Sequence, residues 1–272
     1  MSRREDQPAI QFPPGFGIDN LVSFGQVGLV LLDKQSNTAI KVPFSYRDPD
    51  HHISVQREQA VYERLARKGG HEGLLTYHGS CGMGIRLEYA PNQLLRGMLE
   101  TDRTFPLEIR FNHVQRLRWI IQITNALAFI HSAGVIHGDL TCRNILLDGD
   151  FNTKVFDFAG SSIDGSPLLM DIFDENHRCP NQTRLSFQAD LFALGCVMYE
   201  IMTGPPHEGV EAMEVRALYN KGSFPPTNHL GPVGCTIEGC WRGGYVDAAE
   251  IAAELEGMHL ALIQFDGEAD MK

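Results

Sequence analysis

The chain lacks the features that mark membrane and secreted proteins. Its 272 residues contain no apolar run of the roughly 18 to 20 residues that a helix needs to cross a bilayer. The first residues, MSRREDQPAIQ, have no apolar core of a signal peptide. Six cysteines are present, but without a CxxC pair or a histidine at zinc-ligand spacing. We therefore expect a cytoplasmic protein with reduced thiols and no membrane partner.

Positive charge is also scarce. Lysine and arginine number 23 against 34 aspartates and glutamates, which gives a formal net charge of −11. Because a nucleic-acid backbone selects basic surfaces, this balance argues against nucleic acid as the main partner. A hydrophobic fraction of 43% and a charged fraction of 21% are typical of a globular protein with a sizeable core. The oligomeric state is not predicted by any of these quantities.

The hydrophobic pattern divides the chain into three regions. Residues 1–20 are polar and contain prolines, which predicts an irregular leader. Residues 21–90 predict one helix at 55–68 among four strands, at 27–32, 38–42, 74–79 and 84–89. Residues 91–272 are mainly helical in pattern, most clearly at 114–131, 189–203, 212–220 and 246–257. The predicted fold class is α+β, with a small antiparallel β lobe that carries one helix and a larger α-helical lobe.

Chemistry is concentrated in the stretch HGDLTCRNILLDGDFNTKVFDFAG, residues 137–160. Residues 145–147 and 153–156 predict two short strands, joined by a tight turn at Asp148 and Gly149. Folding this hairpin would bring Asn144 and Asp157 side by side, close to Asp139. A carboxylate, a carboxamide and a second carboxylate in this arrangement can orient a hydroxyl nucleophile and hold magnesium for phosphoryl transfer.

This stretch resembles the catalytic and metal-binding loops of protein kinases, with HGD and DFA where the family has HRD and DFG. The resemblance implies a bilobal kinase-like fold over about residues 21–262, similar to that of divergent kinases of filamentous fungi. It implies Asp139 as the catalytic base, Asn144 and Asp157 as magnesium ligands, ATP and Mg²⁺ as cofactors, and a protein as the substrate. Residues 21–90 would form the nucleotide-binding lobe and residues 91–272 the catalytic lobe.

Lys41, in TAIKV, lies in a strand that is predicted to be buried, where an unpaired ammonium group is costly. The resemblance makes it the lysine that holds the α- and β-phosphates. Glu58 is the better candidate for its helical partner, because Tyr62 and Leu65 share its helix face. Glu63 is the alternative, but it lies off that face.

SFGQVGLV resembles the glycine-rich phosphate loop, with a serine in place of the first glycine. The loop precedes a strand and not a helix, which excludes a Rossmann or P-loop turn. The resemblance implies nucleotide contacts from this loop and the next strand, namely Ser23, Gly25, Gly28, Val30 and Ala39. LEYAP resembles the hinge between the lobes, which implies adenine contacts from the main chain of Glu88 and Ala90 and an apolar floor at Leu146.

Several positions depart from the family pattern. Arg143 lies where tyrosine kinases carry an arginine, which implies a contact with the γ-phosphate. Gly138 replaces the arginine that binds a phosphorylated activation loop, which predicts activity independent of such phosphorylation. Ala159 replaces the DFG glycine, and Asn181 replaces the APE glutamate together with the loss of its arginine partner. Asp190 matches the aspartate that braces the catalytic loop.

Three functions remain open at this level. The first is an ATP-dependent protein kinase that acts on serine, threonine or tyrosine hydroxyls. The second is a pseudokinase that serves as a binding module, which the departures at Ser23, Ala159 and Asn181 favour. The third is a small-molecule phosphotransferase of the aminoglycoside-kinase type, which also has HGD followed by asparagine but typically lacks a DFG-like segment.

Overall fold

The structure is a computed structural model and describes residues 12–167, 169, 175–180 and 186–269. The strands of its described part are β1 (Leu21–Phe24), β2 (Gly28–Asp33), β3 (Thr38–Pro43), β4 (Tyr77–Cys81), β5 (Gly84–Glu88), β6 (Val135–Ile136), β7 (Ile145–Leu147), β8 (Thr153–Val155) and β9 (Ser162–Ile163). The helices are α1 (Pro49–Arg67), α2 (Leu95–Asp102), α3 (His113–Ser132), α4 (Phe187–Met202), α5 (Ala212–Asn220), α6 (Pro232–Arg242) and α7 (Ala248–Ala269).

The amino-terminal part is an antiparallel sheet in the order β1-β2-β3-β5-β4, with α1 inserted between β3 and β4. Alternating residues of β2 and β3 form a small apolar cluster on one face, and Phe12 and Phe16 of the leader pack against it. The leader is irregular from residue 12 to a 3-10 turn at Ile18–Asn20, and residues 1–11 lie outside the described residues.

The carboxy-terminal part is helical and is centred on α3 and α4. Almost every residue of α4 from Ala189 to Ile201 is buried, because the helix is apolar on all sides and packs against α3 and α6. α7 packs along α3. One core cluster runs from α1 into these helices, so a single apolar interior joins the two lobes. This confirms the predicted bilobal α+β fold.

Two predicted boundaries were wrong. α1 begins at Pro49 and not at residue 55, because the Asp48 carboxylate accepts a hydrogen bond from the Asp50 amide and proline occupies the first helical position. β4 begins at Tyr77 and not at residue 74. Leu74 is buried instead in an extended segment that forms a single bridge with Val155.

Two further differences concern a turn and a helix end. The β7–β8 connection spans residues 148–152 and is not a two-residue turn at Asp148 and Gly149. Its carboxylate at Asp148 accepts hydrogen bonds from the amides of Asp150 and Asn152, while Phe151 takes the left-handed conformation with φ 60°. α7 extends to Ala269, well beyond the predicted end at residue 257.

Candidate active site

A buried ion cluster lies between the sheet and α1. The Nζ atom of Lys41, on β3, is 2.6 Å from Oε2 of Glu58 on α1 and 2.6 Å from Oδ1 of Asp157. Glu58 is fully buried. The alternative partner Glu63 instead contacts Gln59 and the Tyr77 hydroxyl, so it lies outside this cluster.

The charges in this cluster stabilise one another. Burial by itself lowers the pKa of an ammonium group, but the carboxylates of Asp157 and Glu58 outweigh burial and raise the pKa of Lys41. At Asp157 burial raises the pKa of the carboxyl group, yet the contact with Lys41 outweighs it and the pKa is lowered. Lys41 is therefore a cation and Asp157 an anion at neutral pH.

The catalytic-loop residues Asp139 and Asn144 contact each other directly. Asn144 Nδ2 donates hydrogen bonds to the Asp139 main-chain oxygen and to Asp139 Oδ2, each at 2.8 Å. Burial raises the pKa of Asp139 above its ordinary value of 3.8, and the nearby His137 and the Asn144 hydrogen bond offset this only in part. A carboxylate with a raised pKa that is held by a neighbouring amide is suited to accept a proton.

Asp190 braces the loop from beneath. Its carboxylate accepts hydrogen bonds from the amides of His137 at 2.7 Å and Gly138 at 2.9 Å, and it lies 2.9 Å from His131 Nε2. Burial raises the pKa of a carboxyl group, but the contact with His131 and the backbone amide outweigh it, so the pKa of Asp190 is lowered. Gly138 has φ 79°, a conformation that glycine adopts without strain.

His137 is a packed residue of the interior. Its ring lies 5.1 Å from that of Phe158, which in turn meets Tyr62 of α1 edge-on at 5.1 Å. His137 Nε2 is also 3.2 Å from the main-chain oxygen of Phe156. These contacts connect α1, the catalytic loop and the residues after Asp157 in one buried column.

Asn144 and Asp157 come together because of the β7–β8 hairpin. The Phe156 amide donates to the main-chain oxygen of Asn144 at 3.1 Å, directly before Asp157. Their side chains offer amide and carboxylate oxygens, the ligand type that Mg²⁺ prefers. Among the described residues no group of three or more His, Cys, Asp or Glu side chains could hold a metal. Two side chains that act together with nucleotide phosphates fit Mg²⁺, which usually keeps few protein ligands.

The glycine-rich loop is a tight turn between β1 and β2. The Gly25 amide donates to the Gly28 carbonyl at 2.9 Å, and Ser23 pairs with Val30 across the two strands. A Cβ atom on Gly28 would lie 2.9 Å from the Val42 carbonyl oxygen, so this position has no room for a side chain. Such a turn leaves main-chain amides accessible at the tip.

The remaining predicted residues lie on or next to β3, β5 and β7. Ala39 pairs with Leu87 across β3 and β5, and the adjoining Ala90 is buried. The Glu88 amide, at the end of β5, donates to the Thr76 carbonyl at 2.8 Å. Leu146 is half-buried on β7. Arg143 lies in the 3-10 turn Cys142–Asn144 and is exposed. Asn181 lies outside the described residues.

Sequence reasoning missed three features of this region. Gly84 is required by packing, because a Cβ atom there would lie 2.2 Å from the Lys41 carbonyl oxygen. His131 contacts Asp190 from α3, and no local pattern marks it. Arg96 Nη1 lies 2.9 Å from the buried carboxylate of Glu200, which also approaches His177 at 3.5 Å. The apolar pattern of α4 gives no indication that Glu200 is buried.

The sequence profile of the protein kinase domain matches residues 23–221. This match covers more than half of the chain, and it includes all the residues of the site just described. The chain therefore belongs to the protein kinase domain family.

The individual relatives share 27–30% sequence identity with the chain. The chain is 29% identical over 196 residues to the mitogen-activated protein kinase kinase kinase MST11 of Pyricularia oryzae, covering 63% of this chain and 20% of that protein. It is 30% identical over 176 residues to a probable serine/threonine-protein kinase of Arabidopsis thaliana, covering 61% and 24%. It is 27% identical over 213 residues to the dual specificity protein kinase pyk3 of Dictyostelium discoideum, covering 72% and 15%. The chain thus spans a quarter or less of the length of these relatives.

All six cysteines are free thiols. Among the described residues, no helix combines the length and the apolar character that crossing a membrane would require.

Proposed function

We propose that the chain is an ATP- and Mg²⁺-dependent protein kinase that transfers the γ-phosphoryl group to a hydroxyl group of a protein. The observation that carries this proposal is the position of Lys41 Nζ, 2.6 Å from both Glu58 and Asp157. An ammonium group held between a helix carboxylate and a metal-ligand carboxylate is the arrangement that phosphoryl transfer in protein kinases requires.

In this proposal residues 21–90 bind the nucleotide and residues 91–272 carry the catalytic groups. Lys41, oriented by Glu58, contacts the α- and β-phosphates. The glycine-rich turn and the hinge hold the rest of the nucleotide, through Ser23, Gly25, Gly28, Val30, Ala39, Glu88, Ala90 and Leu146. Asn144 and Asp157 would hold Mg²⁺, which supplies charge neutralisation across the phosphates.

Asp139 orients the substrate hydroxyl and accepts its proton. Its carboxylate is fixed by the Asn144 amide, and the main chain of its loop is fixed by Asp190. The raised pKa of Asp139, which burial causes, supports this role as a proton acceptor. Arg143, four residues further along and exposed, is the cation that would meet the γ-phosphate.

ATP turnover and autophosphorylation with Mg²⁺ test the proposal, for wild type and for Asp139→Asn and Lys41→Met. Asp150→Asn and Lys34→Met are matched controls, since both residues are exposed and lie away from the site. We expect both site variants to abolish turnover and both controls to retain it. Equal turnover in the site variants and the controls would contradict the proposal.

A pseudokinase that only binds nucleotide is the second candidate, because Ser23 replaces a phosphate-loop glycine. Thermal stabilisation of the wild-type protein by ATP and Mg²⁺, without turnover toward any protein mixture, would favour it. Preference for a small aminoglycoside over proteins as the phosphate acceptor would instead favour a small-molecule phosphotransferase.

A further inference from the structure

Two arginines of α1 reach across to the residues that follow Asp157. Arg57 Nη1 donates hydrogen bonds to the carbonyl oxygens of Ser161 at 2.5 Å and Pro167 at 3.0 Å. Arg64 holds both carboxylate oxygens of Asp164, at 3.1 and 2.7 Å, and also donates to the Ala133 carbonyl at 3.0 Å. Residues 161–167 are therefore fastened to α1 at both ends.

The catalytic-loop side holds the same residues. Ser161 Oγ donates to the His137 carbonyl at 2.8 Å, and the Asp164 amide donates to the Gly134 carbonyl at 3.0 Å. Between these contacts β9 pairs with β6, the strand that leads directly into the catalytic loop. Residues 161–167 thus lie between α1 and the loop that carries Asp139.

The shape of residues 161–167 is also set from within. Ser162 Oγ donates to the Ser166 carbonyl at 2.5 Å, and the Ile163 amide donates to Ser166 Oγ at 3.0 Å. Asp164 takes a left-handed conformation with φ 49°. Its carboxylate fits because position 134 is glycine, where a Cβ atom would lie 2.7 Å from Asp164 Oδ1. The chain is therefore built to present this carboxylate to Arg64.

These contacts bear on the ion cluster of the site. Arg57 directly precedes Glu58, and Val61, fully buried, lies between the two arginines on the same helix. A movement of α1 that withdrew Glu58 from Lys41 would have to break the bonds of both Arg57 and Arg64. The ion pair with Asp164 is largely exposed and contributes mainly geometry, since the two-pronged contact fixes the orientation of the groups.

The contacts described above already hold residues 161–167 against α1 and the catalytic loop, which is the ordering effect that a phosphate on this segment would otherwise have. Gly138 supplies no cation, and Arg57 already donates to two carbonyl oxygens. Ser161 and Ser162 are fully buried and hydrogen-bonded, so their hydroxyls are not accessible to a modifying enzyme.

We propose that Arg57 and Arg64 are positioning residues that hold residues 161–167 on α1, and so keep Lys41, Glu58 and Asp157 assembled without phosphorylation. This inference rests on the proposed kinase function for its kinetic consequences and on the contacts above for its structural ones.

The test compares Arg57→Met/Arg64→Met with Arg67→Met in the full chain, produced without phosphate as shown by intact mass. Arg67 is a matched control because it is exposed on the same helix and, among the described residues, its side chain donates only to the Glu63 carbonyl. We expect kcat to fall about tenfold or more in the double variant with little change in the KM for ATP. Deuterium uptake of α1 should rise in the double variant but not in the control, and Arg57→Lys should restore part of kcat.

The outcomes separate this inference from the function on which it rests. Wild-type deuterium uptake in the double variant would overturn the inference, and so would a wild-type kcat or a wild-type enzyme that loses turnover on phosphatase treatment. If wild type shows no turnover at all, the proposed function fails, and deuterium uptake alone then decides whether the arginines hold α1.

Discussion

Replacing Lys41 should cost stability and activity together, and a second replacement should restore only the stability. In Lys41→Met the carboxylates of Glu58 and Asp157 remain without the cation that lies 2.6 Å from each. Glu58 is the more affected, because its side chain is 1% exposed whereas that of Asp157 is 32% exposed. Removing one partner of a buried pair leaves an uncompensated charge.

The magnitude follows from the distance. At 2.6 Å the Coulomb attraction within one pair is about 6 kcal/mol for an effective dielectric constant of about 20. Desolvation of both groups offsets much of this, so we expect Lys41→Met to lower the free energy of unfolding by about 3–5 kcal/mol. Adding Glu58→Gln neutralises the stranded carboxylate and should recover about 1–3 kcal/mol of that loss.

Urea unfolding of wild type, both single variants and the double variant gives the coupling free energy, with Lys34→Met as the surface control. Burial raises the pKa of Glu58. Without Lys41 the folded protein would bind protons more readily than the unfolded chain, so the deficit of Lys41→Met should shrink as the pH falls from about 8 to about 5. Turnover should stay absent in the double variant. A double variant no more stable than Lys41→Met, or a deficit that grows as the pH falls, would refute this reasoning.

Three further changes test other parts of the site. Asp190→Asn leaves at least one of three donors without an acceptor, so the free energy of unfolding should fall by about 1–3 kcal/mol and kcat should fall, while stabilisation by ATP in thermal melts persists; unchanged kcat would contradict the bracing role. The ionised form of Asp139 is the base, and its pKa is raised above 3.8. As the pH falls, kcat/KM should therefore start to decline while the pH is still above 3.8. Asn144→Ala removes a hydrogen bond that lowers this pKa, so NMR titration of the nucleotide-free protein, in which the proposed Mg²⁺ role of Asn144 does not interfere, should show a higher pKa for Asp139 than in wild type, whereas a lower one would count against it. Gly84→Ala should destabilise by about 1–3 kcal/mol in urea unfolding through overpacking against β3, whereas Gly257→Ala, with nothing within 4 Å, should stabilise slightly; equal effects would reject the packing argument.

Much of the fold was predictable because its long helices have strong periodic patterns. The boundaries of α5 were predicted without error, and those of α3 to within one residue at each end. β4 was misplaced because Leu74 and Leu75 form an apolar run, and burial on all sides gives a run no alternation to tell a strand from an extended core segment. The turn after Asp148 was predicted wrongly because the Asp148 carboxylate accepts hydrogen bonds from the main-chain amides of Asp150 and Asn152. These side-chain hydrogen bonds, and not the glycine alone, determine the shape of the turn.

The candidate site could be predicted from the sequence where its functional residues lie close together along the chain. Asp139 and Asn144 directly precede the β7–β8 hairpin and Asp157 directly follows it, so a local pattern contains their geometry. The contact of Arg64 with Asp164 joins residues a hundred positions apart, and that of His131 with Asp190 joins residues 59 apart. A charged residue on a helix surface looks the same in sequence whether its partner is solvent or a distant carboxylate. Only the folded topology distinguishes the two cases.

Gly138 and the two α1 arginines, Arg57 and Arg64, bear on which part of the structure could regulate activity at this site. Gly138 has φ 79°, so an arginine placed there would adopt a conformation that side chains of L-residues rarely take. A segment that phosphorylation orders needs nearby arginine or lysine side chains that are not already engaged elsewhere. It becomes ordered only when the phosphate is added. Here the cations are already committed, Arg57 to main-chain oxygens and Arg64 to Asp164. A change that loosens α1 therefore has contacts to break, whereas a phosphate on residues 161–167 would have to compete with carbonyl oxygens and Asp164 for these two arginines. Under the proposed function, inhibition through α1 is the mode of control that this arrangement favours.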